Sequence, residues 1–275
     1  MPEPAQAQWR VSLPMYNLPE MQAVNATFWE AVRRELERQG IESVPGSLDF
    51  ARRPVPERIE GDTLLSQVCG YPLQTIYRGQ AALLGAPVYG AEHCAGATHA
   101  GVFVVHRDSA FARLADLRGC NFVYNSRHSN SGMNLPRRAI AEIVEGERFF
   151  GSITETHSQP GNIERVARRE ADATCVDSVT YAFFRRHRPQ LGELTRVLAT
   201  TPPSPSIPFV TSIETPAPLQ DALRQALRTV ARSDEWGEAR AGLMLQDIVP
   251  VELTSYSVQL EYERDARACG YAELK

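Results

Sequence analysis

Short apolar runs alternate with amphipathic stretches along most of this chain, and that rhythm limits the possible folds more than any single motif. Residues 11–15, 64–68, 81–88, 102–106, 121–124, 149–155, 173–176, 195–199 and 209–212 have the length and apolar content of strands. Between them lie helical patterns. The first, over 20–39, places Val24, Phe28, Val32 and Leu36 on one face and stops at Gly40. Others cover 111–117, a stretch marked by Leu135, Ala139, Ile140, Ile143 and Val144, then 163–169, 179–187, 219–231 and 256–269. This alternation predicts an α/β architecture with open, mostly parallel sheets, in which ligands sit beyond the carboxyl ends of the strands. Residues 200–208 carry Pro202, Pro203, Pro205 and Pro208 and read as a linker.

Composition removes several mechanisms. Net charge is −4, so no basic footprint for nucleic acid is present. Lys275 is the only lysine, which leaves none for a Walker phosphate loop, a Schiff base or pyridoxal phosphate. Cys69, Cys94, Cys120, Cys175 and Cys269 are scattered, and no pair has the spacing of a zinc knuckle or a redox dithiol. His93, Cys94 and His99 match no common metal site. No cofactor or metal is implied. No run approaches the ~20 apolar residues of a membrane span. The first ten residues lack a basic start and an apolar core, so they do not read as a secretory signal.

The loop Asn125-Ser126-Arg127-His128-Ser129-Asn130-Ser131-Gly132 joins a strand to a helix with small hydroxyl residues and a glycine. Backbone N–H groups and hydroxyls at a helix start favour a small oxyanion. An ordinary capped turn uses the same residue types, so spacing alone leaves both readings open. Two other loops after strands are chemically rich, Cys69-Gly70-Tyr71-Pro72 and His157 to Asn162, and Asp177 closes a further strand.

Taken in order, Ser12-Leu13-Pro14-Met15-Tyr16, Leu65 to Leu73, Leu114 to Gly119, Asn125 with Ser129-x-Ser131-Gly132, His157, and Ala173 to Asp177 resemble the phosphate/phosphite/phosphonate substrate-binding proteins of ABC transporters. Within that family they resemble a short branch with the Cys-Gly-Tyr-Pro turn. The resemblance implies a two-lobed fold of the type 2 periplasmic binding proteins, each lobe a mostly parallel sheet flanked by helices. It implies lobe one at 1–101 and 205–275, lobe two at 102–204, and crossovers near Gly101 and at 200–208. The function implied is capture of a phosphonate, phosphate or phosphite between the lobes, for delivery to a permease. Ser129, Asn130, Ser131, Gly132 and Asn125 would hold the anion; His157 and Asp177 would face the cleft, Asp177 as a partner for a ligand amine. Tyr16, Cys69, Gly70 and Tyr71 would form the opposite wall.

Two departures from the family pattern stand out. His99-Ala100-Gly101 replaces Tyr-x-Ser, and the helix expected to open with a serine after the histidine reads as starting later, at Asn162. Pro136 fits only in the first turn of its helix. Each candidate also has a structural explanation: Asp177 can cap a helix, His157 can bond within its turn, and Tyr16, Tyr71 and Cys69 can be core residues. The alternative function is a cytosolic biosynthetic enzyme of the same fold, acting on a small carboxylate, with His157, Asp177 and Cys69 as acid–base or nucleophile groups. The resemblance implies the periplasm; a complete chain starting at Met1 would imply the cytoplasm.

Overall fold

Two five-stranded sheets carry the chain. The computed structural model describes residues 9–51 and 58–275, so the N-terminal stretch read above lies, up to Gln8, outside the described residues. The first sheet has the order β1-β2-β9-β3-β10, formed by Arg10–Val11, Thr63–Gln67, Phe209–Ser212, Ala81–Tyr89 and Leu245–Val249. The second has the order β6-β5-β7-β4-β8, formed by Ser152–Glu155, Asn121–Tyr124, Ala173–Asp177, Thr98–His106 and Thr195–Pro205. Helices flank both: α1 Gln22–Arg38, α2 Gly70–Gln74, α3 Leu135–Ala141, α4 Gln159–Ala167, α5 Ser178–His187, α6 Pro189–Gly192, α7 Ala217–Arg232, α8 Gly237–Gly242 and α9 Val258–Ala268.

Apolar periodicity explains where these elements fall. In α1, Phe28, Val32 and Leu36 are fully buried on the core face. The helix ends at Gly40, whose φ of 81° suits a glycine, while the Ile41 N–H returns to the Leu36 carbonyl at 3.0 Å. Phe28 stacks on Phe209 of β9 with ring centroids 5.7 Å apart, joining α1 to the first sheet. In the second sheet, Phe122 stacks on Phe150 at 4.3 Å within a core that includes Phe103 and Phe149.

The α/β layering matches the expectation, but the strand directions are mixed rather than mostly parallel. Among the described residues only β1–β2, β5–β6 and β5–β7 run parallel; β9 lies antiparallel to β2 and β3, and β4 antiparallel to β7 and β8. Periodicity reports which face of a strand is buried, not which way the strand points. Most of the proline-rich stretch is also strand. β8 runs to Pro205 as the sheet's edge, its Pro203 and Pro205 opposite Ala100 and Thr98 of β4. An edge strand tolerates residues that cannot donate to a ladder. Gly101 lies inside β4, paired with Asp177, and donates its N–H to the Thr201 hydroxyl at 2.9 Å. The chain therefore passes between sheets at 90–97 and 206–208.

Residues 266–275, which the family resemblance assigns to lobe one, pack on the core of the second sheet. Tyr271 is fully buried among Phe103, Phe122, Phe149 and Phe150, and the Phe149 N–H donates to the Lys275 carbonyl at 2.9 Å. In the opposite sense, Val179 and Phe183 of α5 join the first sheet's core, with the Phe183 ring 5.6 Å from Tyr16. Replacing Tyr271 with Ala empties an aromatic site in the second core. The expected loss is about 3–5 kcal/mol in denaturant unfolding, as for other buried aromatics; a loss under 1 kcal/mol would show the C-terminal segment to be dispensable.

Candidate functional site

Three neighbouring strand ends build the site. β5 leads into Asn125, β6 into His157, and β7 ends at Asp177; β5 lies between the other two and parallel to both, so all three ends emerge on one edge. Backbone bonds hold the edge together. The Thr156 N–H donates to the Tyr124 carbonyl and the His157 N–H to the Asn125 carbonyl, each at 2.8 Å. His157 adopts a φ of 62°, a left-handed conformation that costs a residue with a side chain about 1–2 kcal/mol, and its ring is exposed. Such a turn spends local stability to place a side chain at a cleft.

Helix starts complete that side. The Ser158 hydroxyl caps α4 by accepting the Gly161 N–H at 3.1 Å. A serine therefore does open the helix after the histidine, and Asn162 sits inside the helix, accepting from the Thr156 hydroxyl. Pro160 and Gly161 read as a turn but occupy the first turn of α4, where proline is compatible with a helix. Asp177 caps α5: its carboxylate accepts the Thr180 N–H at 2.8 Å and the Thr180 hydroxyl at 2.5 Å. Pro136 likewise lies in the first turn of α3.

A cavity of about 370 Å³ separates this edge from the segment following β1. Ser12, Tyr16 and Asp49 line one side; Asn125, His157, Ser158, Gln159 and Asp177 line the other. At the rim, Arg188 donates from Nε to Glu20 at 2.7 Å and also bonds Glu164, tying the two sides together. That pairing draws the Glu20 carboxyl below its usual range through the Arg188 hydrogen bond. The Tyr16 phenol is buried and its hydroxyl has no partner within the protein; burial, reinforced by the Asp177 carboxylate, pushes its pKa well up and keeps it a neutral donor. The Asn125 Oδ1 is also buried without a partner.

The structure thus brings Tyr16, Asn125, His157 and Asp177 to one cavity. The serine loop lies behind it. Ser129 accepts the Gly132 N–H at 3.0 Å and caps a π-helical turn over Asn130–Asn134, while the Ser131 hydroxyl receives the Gln159 Nε2 at 2.9 Å. Asn130 donates to the Ser204 hydroxyl at 2.8 Å. Gly132 makes room for the Asn125 amide: a Cβ there would fall 2.0 Å from its Oδ1. The Cys69–Tyr71 turn is the start of α2 and also packs behind the cavity. A Cβ on Gly70 would fall 2.4 Å from the Tyr256 ring, and the Tyr71 hydroxyl donates to Glu263 of α9 at 2.9 Å. Burial pushes the Cys69 thiol up to about 11, against the pull of backbone N–H groups from Asn130 and Tyr71. This is the reverse of what a nucleophilic cysteine needs.

Sequence reasoning did not single out Ser158, Gln159 and Arg188. Ser158, three residues before Gly161 and two before Pro160, carried a capping signal. His99 is buried with neither ring nitrogen partnered; burial lowers its pKa while Asp177 opposes the shift. It pairs with Cys94 as an isolated bridge, and among the described residues no metal-binding cluster forms. No helix among the described residues is long and apolar enough to cross a membrane.

A strand-end cleft lined by helix starts, between two mixed sheets, defines a binding protein of the two-lobed periplasmic class. A family model described as the periplasmic substrate-binding protein of phosphonate ABC transporters matches residues 72–256, more than half of the 275. The chain belongs to that family, which comprises transport receptors rather than enzymes. Among curated proteins, none matches the chain in sequence. Solved structures share the fold at low identity. A binding-protein component of a phosphonate ABC transporter from Pseudomonas aeruginosa is 15% identical, with a TM-score of 0.77, covering 96% of this chain and 88% of its own. PhnD1 from Prochlorococcus marinus, in complex with methylphosphonate, is 15% identical at 0.69, covering 95% and 99%. XAC2383 from Xanthomonas citri, bound to ATP, is 18% identical at 0.68, covering 97% and 100%.

The contact between Gly132 and Asn125 is open to a direct test. Gly132→Ala should cost about 1–3 kcal/mol through overpacking. Adding Asn125→Ala should recover most of that loss in a double-mutant cycle; purely additive costs would show that the two residues do not compete for the same space.

Proposed function

We propose that this protein captures a small phosphorus oxyanion, a phosphonate above all, in the cavity between Tyr16 and the starts of α4 and α5, and delivers it to a membrane permease from the periplasm. The observation that supports this best is the convergence of Asn125, His157 and Asp177 from three adjacent strand ends on one cavity facing Tyr16. The Tyr16 hydroxyl and the start of α4 supply neutral donors to the anion. Asp177, a buried carboxylate at the same cavity, takes a cationic substituent, so an aminoalkyl phosphonate suits the cleft better than its alkyl counterpart. Lobe one comprises the first sheet and its helices, and lobe two the second sheet together with residues 258–275. The lobes hinge at 90–97 and 206–208. The serine loop Ser129–Gly132 and the Cys69–Tyr71 turn stiffen the back wall. In the closed form, Arg188 and Glu20 clasp the rim.

A handful of charge-assisted hydrogen bonds in a closing cleft supports affinity of about micromolar, near −8 kcal/mol. A thermal-shift panel of methylphosphonate, 2-aminoethylphosphonate, phosphate, phosphite, sulfate and acetate checks the reading. At about 100 times Kd, a true ligand should stabilise the fold by about 2.7 kcal/mol. If every phosphorus compound leaves the melting temperature unmoved, the proposal fails.

Asp177→Asn separates its two roles. The unliganded variant should lose about 1 kcal/mol of stability from the weakened cap. Preference for the amino compound over methylphosphonate should disappear in isothermal titration. Retention of that preference would remove Asp177 from the ligand.

A further inference from the structure

We propose that Gln159 sets which ligands the cleft admits, because its side-chain amide already occupies the place of a ligand's acid group. Gln159 opens α4, is half-buried and lines the cavity. Its Oε1 accepts the Asp177 backbone N–H at 3.1 Å, and its Nε2 donates to the Ser131 hydroxyl at 2.9 Å. These two groups follow different strands, β7 and β5, and Gln159 follows β6, which lies beyond β5 on the side away from β7. One side chain therefore spans all three loops that build the edge.

A carboxamide is the neutral isostere of a carboxylate. With the amide removed, the Asp177 N–H and the Ser131 hydroxyl, free to rotate and donate, would both point at an oxyanion oxygen. The cavity thus has two anchoring positions. One is filled by Gln159. The other is marked by the Tyr16 hydroxyl, a donor that is buried and without a partner in the protein. Natural ligands use the second position, which limits them to one compact acid group per molecule. Ligands with a second acid group, or a bulkier one, are refused until Gln159 is displaced. The serine loop is then a latent donor rather than a vestige.

This inference rests on the cavity being the ligand site, and the test separates the two. Wild type, Gln159→Ala, Gln159→Ser and Gln159→Glu are titrated calorimetrically with methylphosphonate, inorganic phosphate and phosphonoacetate. The melting temperature of each unliganded variant confirms folding, and serine, a good residue at a helix start, backs up alanine. Both shortened variants should bind methylphosphonate and phosphate within about twofold of the wild type, because those ligands use the other position. They should also accept phosphonoacetate, which the wild type refuses. Gln159→Glu keeps the shape but adds a negative charge beside Asp177, and should weaken anion binding about tenfold. Refusal of phosphonoacetate by both shortened variants, or its acceptance by the wild type, beside a wild type that binds methylphosphonate, overturns the inference and leaves the proposed function standing. Silence of wild type and shortened variants alike overturns both.

Discussion

One buried carboxylate organises the cleft. Asp177 is 1% exposed, ends β7, and is held by the start of α5 through two hydrogen bonds from Thr180. A charge so placed is tolerable only because the helix dipole and those donors replace water. Burial favours the neutral forms of Tyr16, Tyr89, Cys69, Cys94 and His99; the Asp177 charge adds to this for the phenols and thiols and opposes it for His99. Tyr16, Asn125, Ser158 and Gln159 therefore offer polar but uncharged groups beside the Asp177 carboxylate. The rim arginine, Arg188, is already paired with Glu20 and Glu164. An incoming anion meets neutral donors instead of an opposing cation, as suits a receptor that must also let its cargo go.

A second polar layer lies behind the cavity. Arg137, 4% exposed, donates to Asn134 at 2.6 Å and to the Ala272 carbonyl at 2.9 Å; Asn134 donates to the Gln259 carbonyl at 2.9 Å; Gln259 reaches the Ser204 hydroxyl at 2.8 Å. Tyr71 joins through Glu263. The network binds the start of α2, the π-helical turn and α9, three segments distant in sequence. Buried polar chains of this kind are costly when half satisfied, so they favour one arrangement over near alternatives. They also explain why the serine loop and the Cys-Gly-Tyr-Pro turn keep such distinctive residues without facing the cavity.

Much of this was legible beforehand. Strand positions followed from apolar runs, and Asn125, His157 and Asp177 were placed correctly at strand ends because a residue just after a strand has few other places to go. Strand direction was not legible, since β4 and β9 have the same alternation whichever way they run. The start of α4 was misplaced because Pro160-Gly161 signals a turn locally, whereas Ser158 and the buried Ile163 and Val166 make a helix of it. The serine loop misled for a different reason. The Ser129 hydroxyl is answered by the Gly132 N–H of its own turn, and the Ser131 hydroxyl by Gln159, 28 residues on, a contact that no local pattern encodes.

The prolines of β8 have a consequence for the molecule in a crowded compartment. An open sheet edge is a template on which a stranger's backbone can add itself, the first step toward aggregates. Pro202, Pro203 and Pro205 thin out the donors along that border, so an intruding chain finds no continuous ladder to copy. A shuttle that spends its life colliding with other proteins thereby keeps its margin unsociable.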